Sequence, residues 1–351
     1  MIRRNLHGMI KMAEIYKDAY EKGIPIEATF ELTPRCGFNC RMCYVHLSPE
    51  EISRVGEGRE LTGDEWLKIG RQAAEMGVFS ICITGGDPIC HPDFKNIWIG
   101  LSRLGFKITL QTNASQLTND ILDILDEYPP ELVKITLYGS NDEMYKAVCQ
   151  IEKGFAKTDA GIQALKDRGH RIQLVTTFIR QNRDDADNIR QYAIDNNLPW
   201  YYSASCYPSL RGADSDANGC AIEIWDEKNA QETSKLWNKM KPMKDDIPGK
   251  LCSGYRKSFD ICWDGNMRFC LFLNEPNIQV KNKELFACWK ELLDYWENIR
   301  WPEECYICKY KAKCKRCLAH LACLSGGLNK LDQGYCEKVK KMIDLQKEAL
   351  N

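Results

Sequence analysis

The chain has 351 residues, beyond the roughly 100 to 200 of a usual single domain, so about two domains and a sizeable core are expected. Its 48 Lys and Arg nearly cancel its 49 Asp and Glu, leaving a net charge of −1 with no block of like charge, which argues against a nucleic-acid duplex or an anionic bilayer as partner. The 44% hydrophobic content suits a globular fold, the longest apolar stretches (such as Val78 to Ile83) are short, and Met1 to Tyr16 lacks the apolar core of an export signal; the expected location is the cytoplasm.

In chain order, the segment before Glu27 reads as a short amphipathic helix carrying Met9, Met12, Ala13 and Tyr16. Short β-rich runs then alternate with helical periodicity: Glu27 to Leu32, Val78 to Thr84, Phe106 to Thr112, Val133 to Tyr138, Arg171 to Phe178 and Trp200 to Ala204 are the predicted strands. The helix after Thr62 opens on a capping box, Thr62-Gly63-Asp64-Glu65. Three helical segments stop at the Gly of Glu75-Met76-Gly77, Arg103-Leu104-Gly105 and Arg168-Gly169, where glycine tolerates the left-handed conformation that ends a helix. Strands separated by helices imply a parallel sheet whose ligand site gathers at the strands' C-terminal ends, and six such units predict a partial barrel.

Past Cys206 the pattern breaks into Pro, Gly, Ser and Asp over Tyr207 to Gly219, then a helix is predicted for Glu223 to Met240, then comes a cysteine-dense stretch. The expected organisation is a packing helix (1–25), an α/β partial (β/α)6 TIM-like barrel (26–222), a bridging helix or linker (223–250), a cysteine-rich, loop-rich domain (251–340) and a final helix end (341–351).

Eighteen cysteines is the outlying number. Disulfides would need an oxidising compartment, which nothing indicates, so metal ligation is the expected use. Directly after the first strand stands Cys36-Gly37-Phe38-Asn39-Cys40-Arg41-Met42-Cys43, a C-x3-C-x2-C loop. Three thiolates so close hold either a 4Fe–4S cluster with one iron left open, or a zinc ion if a fourth ligand such as His46 joins them.

That loop, together with Thr84-Gly85-Gly86-Asp87-Pro88 after the second strand, resembles the radical S-adenosylmethionine (SAM) superfamily, whose members carry C-x3-C-x-aromatic-C and a Gly-Gly-Glu-Pro-type motif on a partial (β/α)6 barrel. The resemblance implies that Cys36, Cys40 and Cys43 hold a 4Fe–4S cluster. It also implies that Met42, Gly85, Gly86, Asp87, Asn113 and Thr136 bind SAM, with Gly85 to Asp87 receiving the methionine ammonium and Asn113 and Thr136 facing the ribose or carboxylate. This chain departs from the pattern at Met42, where an aromatic is usual, at Asp87, which replaces Glu, and at Val148, near the place of an Arg that pairs with the SAM carboxylate, for which Lys146 is a substitute.

Cys252-x12-Gly265-x4-Cys270, then Cys305-x2-Cys308-x5-Cys314-x2-Cys317, then Cys336, is similar to the SPASM extension of that superfamily, with x2 where x3 is usual before Cys317. The resemblance implies two auxiliary 4Fe–4S clusters, one on Cys305, Cys308, Cys314 and Cys336, the other on Cys252, Cys270 and Cys317 with Cys262, Cys323 or an open position as the fourth ligand. Paired C-x2-C units also suit structural zinc. Cys82, Cys90, Cys149, Cys206, Cys220 and Cys288 fall in no motif and read mostly as inert buried thiols.

The stretch Ile135 to Phe155 (Thr136-Leu137-Tyr138-Gly139-Ser140, then Tyr145-Lys146-Ala147-Val148-Cys149) resembles SPASM proteins that modify peptides. The expected function is therefore hydrogen-atom abstraction from a residue of a ribosomally made peptide, giving a thioether or carbon–carbon cross-link or an epimerised centre. A sulfatase-maturase-like dehydrogenase and a zinc-stabilised binding protein are the alternatives. Expected partners are the precursor peptide and a flavodoxin- or ferredoxin-type electron donor; 35 residues before Cys36 leave no room for a leader-gripping module, so the peptide is expected to be recognised either directly, in the cleft between the barrel and the cysteine-rich domain, or by a separate leader-binding protein. Arg211 reads either as a solvated loop residue or as a contact for a substrate carboxylate or carbonyl, and Tyr207 to Gly219 as a mobile wall of the cleft.

Overall fold

The computed structural model describes residues 2–55, 60–222, 248–311, 314 and 317–348. The helix predicted over residues 223–240 lies outside them. The chain divides into two compact units, the first made of residues 1–221 and 256–292, the second of 222–255 and 293–351.

All six predicted strands form: β1 (Glu27–Glu31), β2 (Ser80–Thr84), β3 (Lys107–Thr112), β4 (Leu132–Thr136), β5 (Ile172–Thr177) and β6 (Trp200–Ser203). They lie parallel in sequence order, β1 to β6, as a partial (β/α)6 barrel. A seventh parallel strand, β7 (Ser258–Ile261), pairs with the other edge of β1, and β8 (Asn266–Arg268) and β9 (Ile278–Gln279) continue the sheet antiparallel. This strand comes from the region that sequence patterning assigns to the cysteine-rich part. The turn from β7 to β8 explains the glycine of the C-x12-G-x4-C pattern: Gly265 sits at φ +77, donates to the Cys262 carbonyl and closes a hairpin that side chains with a Cβ enter only with strain.

Helix α1 (Ile2–Lys22) precedes the sheet, and helices follow β1 to β5: α2 (Pro49–Arg54), α3 (Gly63–Glu75), α4 (Phe94–Arg103), α5 (Asn119–Glu127), α6 (Asp142–Cys149), α7 (Gly154–Asp167) and α8 (Ala186–Asp195). The Thr62 capping box forms as read: its hydroxyl accepts from Glu65 N, and the Glu65 carboxylate accepts from Thr62 N. Alternation along the strands sends one set of residues into the core, Phe30, Ile83, Leu110 and Ile135 all fully buried, and Phe30 packs on Trp66 of α3 with ring centroids 5.4 Å apart. The alternate set is polar: Thr29 and Glu31 on β1, Cys82 and Thr84 on β2, Lys134 and Thr136 on β4. A closed barrel fills its interior with branched apolar layers. A partial one with polar interior positions keeps that space available to a ligand.

In the second unit Tyr255 meets Trp296 edge-on at 5.2 Å, and Trp296 is fully buried. Short helices Glu303–Tyr306 and Leu318–Ser325 and the longer Gln333–Glu348 carry or flank its cysteines. No helix among the described residues is long and apolar enough to cross a membrane.

Packing and capping at α3 separate by magnitude. Trp66→Ala removes a fully buried indole and is expected to cost about 3–5 kcal/mol, against ~1 kcal/mol for the exposed cap in Thr62→Ala. Anaerobic thermal melts should therefore rank Trp66→Ala well below Thr62→Ala, and equal melting temperatures would contradict this packing.

Candidate functional site

The cluster loop leaves the C-terminal end of β1 and is fastened at its base before the first cysteine. Arg35 Nε donates to Glu60 at 2.8 Å, and the Thr33 hydroxyl bonds the same carboxylate. The Gly-Gly pair after β2 lies against this base. A Cβ at Gly85 would stand 2.5 Å from the Thr33 carbonyl oxygen, and one at Gly86 would stand 2.5 Å from that of Arg35 and 2.7 Å from that of Pro34. These are backbone atoms that cannot rotate aside, so glycine is required here by the close approach of two strand ends.

A cavity of about 190 Å³ opens over these ends. Cys36, Cys40, Cys43, Met42, Gly85, Gly86, Asn113 and Thr136, eight of the sequence-predicted site residues, line it together. Asp87 is fully buried behind them: its carboxylate accepts from Ile89 N (3.1 Å), Thr112 Oγ1 (2.8 Å) and Asn113 N (3.0 Å), and burial pushes its pKa up to about 6 against those donors. Its side chain thus ties the β2 end to the β3 end. Asn113 is likewise engaged, its Nδ2 donating to Cys36 Sγ at 3.3 Å and its Oδ1 accepting from Ser115 N. Lys146 is turned away, paired with Glu152 at 2.6 Å on an exposed surface, and Val148 is fully buried, so neither supplies a cation to the cavity.

The ligand sulfurs sit among hydrogen-bond donors. Phe38 N reaches Cys36 Sγ at 3.4 Å and His46 N reaches Cys43 Sγ at 3.3 Å. Burial pushes the Cys36 thiol up and that of Cys43 up to about 12, while the Cys40 thiol is raised first by its side-chain hydrogen bond with Cys149 and then by burial. A metal centre that takes these sulfurs as thiolates must displace their protons. Among the described residues no three His, Cys, Asp or Glu side chains gather about a single metal ion. Three thiols around the mouth of one cavity, with N–H donors aimed at their sulfurs, fit a cluster whose fourth iron stays open.

Sequence reasoning missed what holds the far wall. Arg211 is neither solvated nor aimed at a substrate: its side chain is 3% exposed, its Nη2 lies 3.0 Å from both carboxylate oxygens of the fully buried Glu31, and its Nη1 donates to the Leu271 carbonyl at 2.9 Å. Tyr44, next to Cys43, donates to the same Glu31 at 2.9 Å, and the guanidinium stands 5.6 Å from its ring centroid. Leu210 N also bonds the Tyr44 carbonyl, and Tyr207 stacks on Phe272 at 3.9 Å. The segment read as a mobile wall is therefore pinned at Leu210 and Arg211 by a buried ion pair.

Of the other predicted ligands, Cys270 belongs to the first unit and Cys252, Cys305, Cys308, Cys314, Cys317 and Cys336 to the second. All eighteen cysteines are free of disulfides.

The fold is a parallel α/β barrel with three thiols at the mouth of a cavity over its strand ends, and the comparisons bear on its class. Residues 30–193 match the Radical SAM superfamily model. It is 25% identical over 339 residues (88% of this chain, 95% of the relative) to the AdoMet-dependent heme synthase of Methanosarcina barkeri. Its fold is similar to that of SuiB from Streptococcus suis, with 16% identity, 95% of this chain and 82% of that one covered and a TM-score of 0.65; SuiB has also been solved bound to S-adenosylmethionine and to the precursor peptide SuiA. It is also similar to anSMEcpe, solved with bound AdoMet and a Kp18Cys peptide, with 13% identity, 93% and 98% covered and a TM-score of 0.63.

The buried pair makes a testable stability pattern. Arg211→Met alone leaves the Glu31 carboxylate buried without a cation and should cost about 3–5 kcal/mol, whereas Glu31→Gln with Arg211→Met removes both charges and should recover much of the loss. Urea unfolding of the single and double variants checks this. Additive losses would mean that the two groups do not act as a pair.

Proposed function

We propose that this chain is a radical SAM enzyme that takes a hydrogen atom from a residue of a ribosomally made peptide, giving a cross-link or an epimerised centre. The observation that carries the radical SAM part is the single cavity shared by Cys36, Cys40 and Cys43 with Gly85, Gly86 and Thr136. In this reading the three thiolates hold a 4Fe–4S cluster. The carbonyls of Gly85 and Gly86 receive the methionine ammonium, because Asp87 spends one oxygen on Ile89 N and the other on the end of β3, and the Thr136 hydroxyl meets the ribose or carboxylate. Met42 lies over the cofactor from the cluster loop. Bound there, SAM supplies a 5'-deoxyadenosyl radical once an electron from a flavodoxin- or ferredoxin-type donor arrives.

The peptide part is supported by the likeness of Ile135 to Phe155 to peptide-modifying SPASM proteins and by the fold shared with SuiB and anSMEcpe. The rigid aromatic wall of Tyr44, Tyr207 and Phe272 would orient a substrate residue in the water-poor cavity, holding its target carbon near the cofactor. The relative in Methanosarcina barkeri supports a second reading, a tetrapyrrole substrate on the same cavity. The C-terminal cysteines are proposed to hold two auxiliary 4Fe–4S clusters.

Cys36, Cys40 and Cys43 all changed to Ala should abolish 5'-deoxyadenosine formation from SAM under dithionite while iron remains bound elsewhere in the chain. Retained 5'-deoxyadenosine would refute the mechanism. Mass spectrometry after incubation with candidate precursor peptides, and separately with a tetrapyrrole precursor of heme, distinguishes the two substrates by which one changes mass. Changing Cys308 or Cys314 to Ala should lower iron content and soluble yield together. Unchanged iron with loss of zinc would overturn the auxiliary clusters.

A further inference from the structure

Strand β6 ends the sheet on one side, and the edge it presents is uncovered. Among the described residues β5 is its only strand neighbour. The carbonyls of Pro199 and Ser203 accept from Leu174 N at 2.8 Å and from Phe178 N at 2.7 Å, so the main-chain groups of residues 199, 201 and 203 turn toward β5. Strand residues alternate, and the N–H and C=O groups of Trp200 and Tyr202 therefore point away from the sheet. Natural sheets blunt such an edge with charge, proline or a covering element, since it is a ready template for another chain. Here the strand reads Trp-Tyr-Tyr-Ser, without charge, and Tyr201 and Tyr202 are 61% and 45% exposed.

This edge is continuous with the cavity. Val175 and Thr177 of β5 line the cavity, and their register partners on β6 are Tyr201 and Ser203, whose side chains take the same face of the sheet. Past the strand, Ser205, Cys206 and Tyr207 line the cavity in turn. Trp200 and Tyr202 take the other face. There their ring centroids lie 6.1 and 5.6 Å from that of Phe178, and the Trp200 indole N–H donates to Thr176 Oγ1 at 2.9 Å. The strand is thus fixed from its outer face while its edge and its inner face stay open. An extended chain laid along it covers the four residues from Tyr202 to Cys206 in about 13 Å.

We propose that an extended segment of the peptide substrate adds to this edge as a further strand, its main chain pairing with Trp200 and Tyr202 and its target residue entering the cavity about four residues further on. The inference rests on the peptide reading above. Main-chain pairing grips a peptide whatever its sequence, and Tyr201 and Ser203 then meet alternate side chains of the bound strand on the cavity's face. A tetrapyrrole has no row of N–H and C=O groups to offer such an edge, so the pairing also separates the two substrates.

The test uses the full-length, reconstituted protein and synthetic peptides spanning the short reading frames that flank its gene, with affinity read by fluorescence anisotropy. Tyr202→Pro removes one outward N–H and leaves the β5 pairing of Tyr201 and Ser203 in place, because proline is tolerated where the N–H side of an edge strand faces solvent. Tyr202→Ala removes the ring and keeps the N–H. At equal iron per chain, peptide affinity should fall about tenfold in the Pro variant and about threefold or less in the Ala variant. Equal losses in the two, or no loss in Pro, overturn the inference. Should Pro fail to fold, hydrogen exchange on the parent protein decides: added peptide should newly protect the amides of Trp200 and Tyr202, and no gain there overturns the pairing. Protection of those amides before peptide is added, with the chain eluting as a dimer, would assign the edge to a second copy and overturn it as well. If none of the peptides binds the parent chain, the peptide reading itself falls.

Discussion

The carboxylate of Glu31 is the point on which the mouth of the barrel depends. It is the last residue of β1, fully buried, at the place where the strand becomes the cluster loop. Burial raises its pKa, and Arg211 and Tyr44 pull against that rise. Taking a carboxylate out of water costs several kcal/mol, so the groups that compensate it have little freedom to leave. The compensation comes from two other segments: Arg211 from the loop after β6, and Tyr44 from the cluster loop itself. The same guanidinium reaches the Leu271 carbonyl beyond β8. One desolvated charge thereby fixes three pieces of chain that are far apart in sequence, and with them the positions of Tyr207 and Phe272 on the cavity. Replacing both members of a buried pair is often near neutral while removing one is costly, so the pair constrains these segments more than it adds net stability.

On the other side of the cavity the constraint is backbone geometry. The Gly85–Gly86 edge, the Thr33 to Arg35 carbonyls and the last turn of α6 leave the cluster loop few conformations, because each contact involves main-chain atoms that no rotamer change can move. Asp87 extends the same logic across the sheet, joining β2 to β3 through the Thr112 hydroxyl and the Asn113 amide. The cavity is therefore walled by strand ends and by loops tied to them, and the Cys36 to Cys43 loop is held from both sides.

Much of this was legible in the sequence because it is written in local patterns. Each of the six strands carries its own period, three of the helices end at their own glycine (Gly77, Gly105 and Gly169), and the Thr62 capping box needs only four consecutive residues. The thiol spacing of Cys36, Cys40 and Cys43 and the Gly-Gly pair are also short-range, and they converge on one cavity as expected. What stayed illegible is long-range. Glu31 and Arg211 are 180 residues apart, and nothing near Arg211 marks it as buried. Strand β7 is four residues long and lies among cysteines whose spacing dominates the local pattern. The contact that seats α6 on the loop, Arg41 Nε to the Ala147 carbonyl, joins residues 106 apart and has no local mark either.

The substitutions of the motif residues follow from the same geometry. With Asp in place of Glu, residue 87 has a carboxylate one methylene shorter, and that length suits a group that caps the turn at Pro88–Cys90 and reaches Thr112 and Asn113 at once. Val148 stands where an arginine would meet a SAM carboxylate, yet its carbonyl accepts from Arg41 and its side chain is fully enclosed. A long cation there would have to break the packing that seats α6 on the cluster loop. In the proposed SAM complex the carboxylate would meet neutral donors at the strand ends, such as the Thr136 hydroxyl and backbone amides. A carboxylate held by oriented dipoles in a water-poor cavity loses less to their reorganisation than one held by a flexible side chain, so the missing arginine is compatible with a working site.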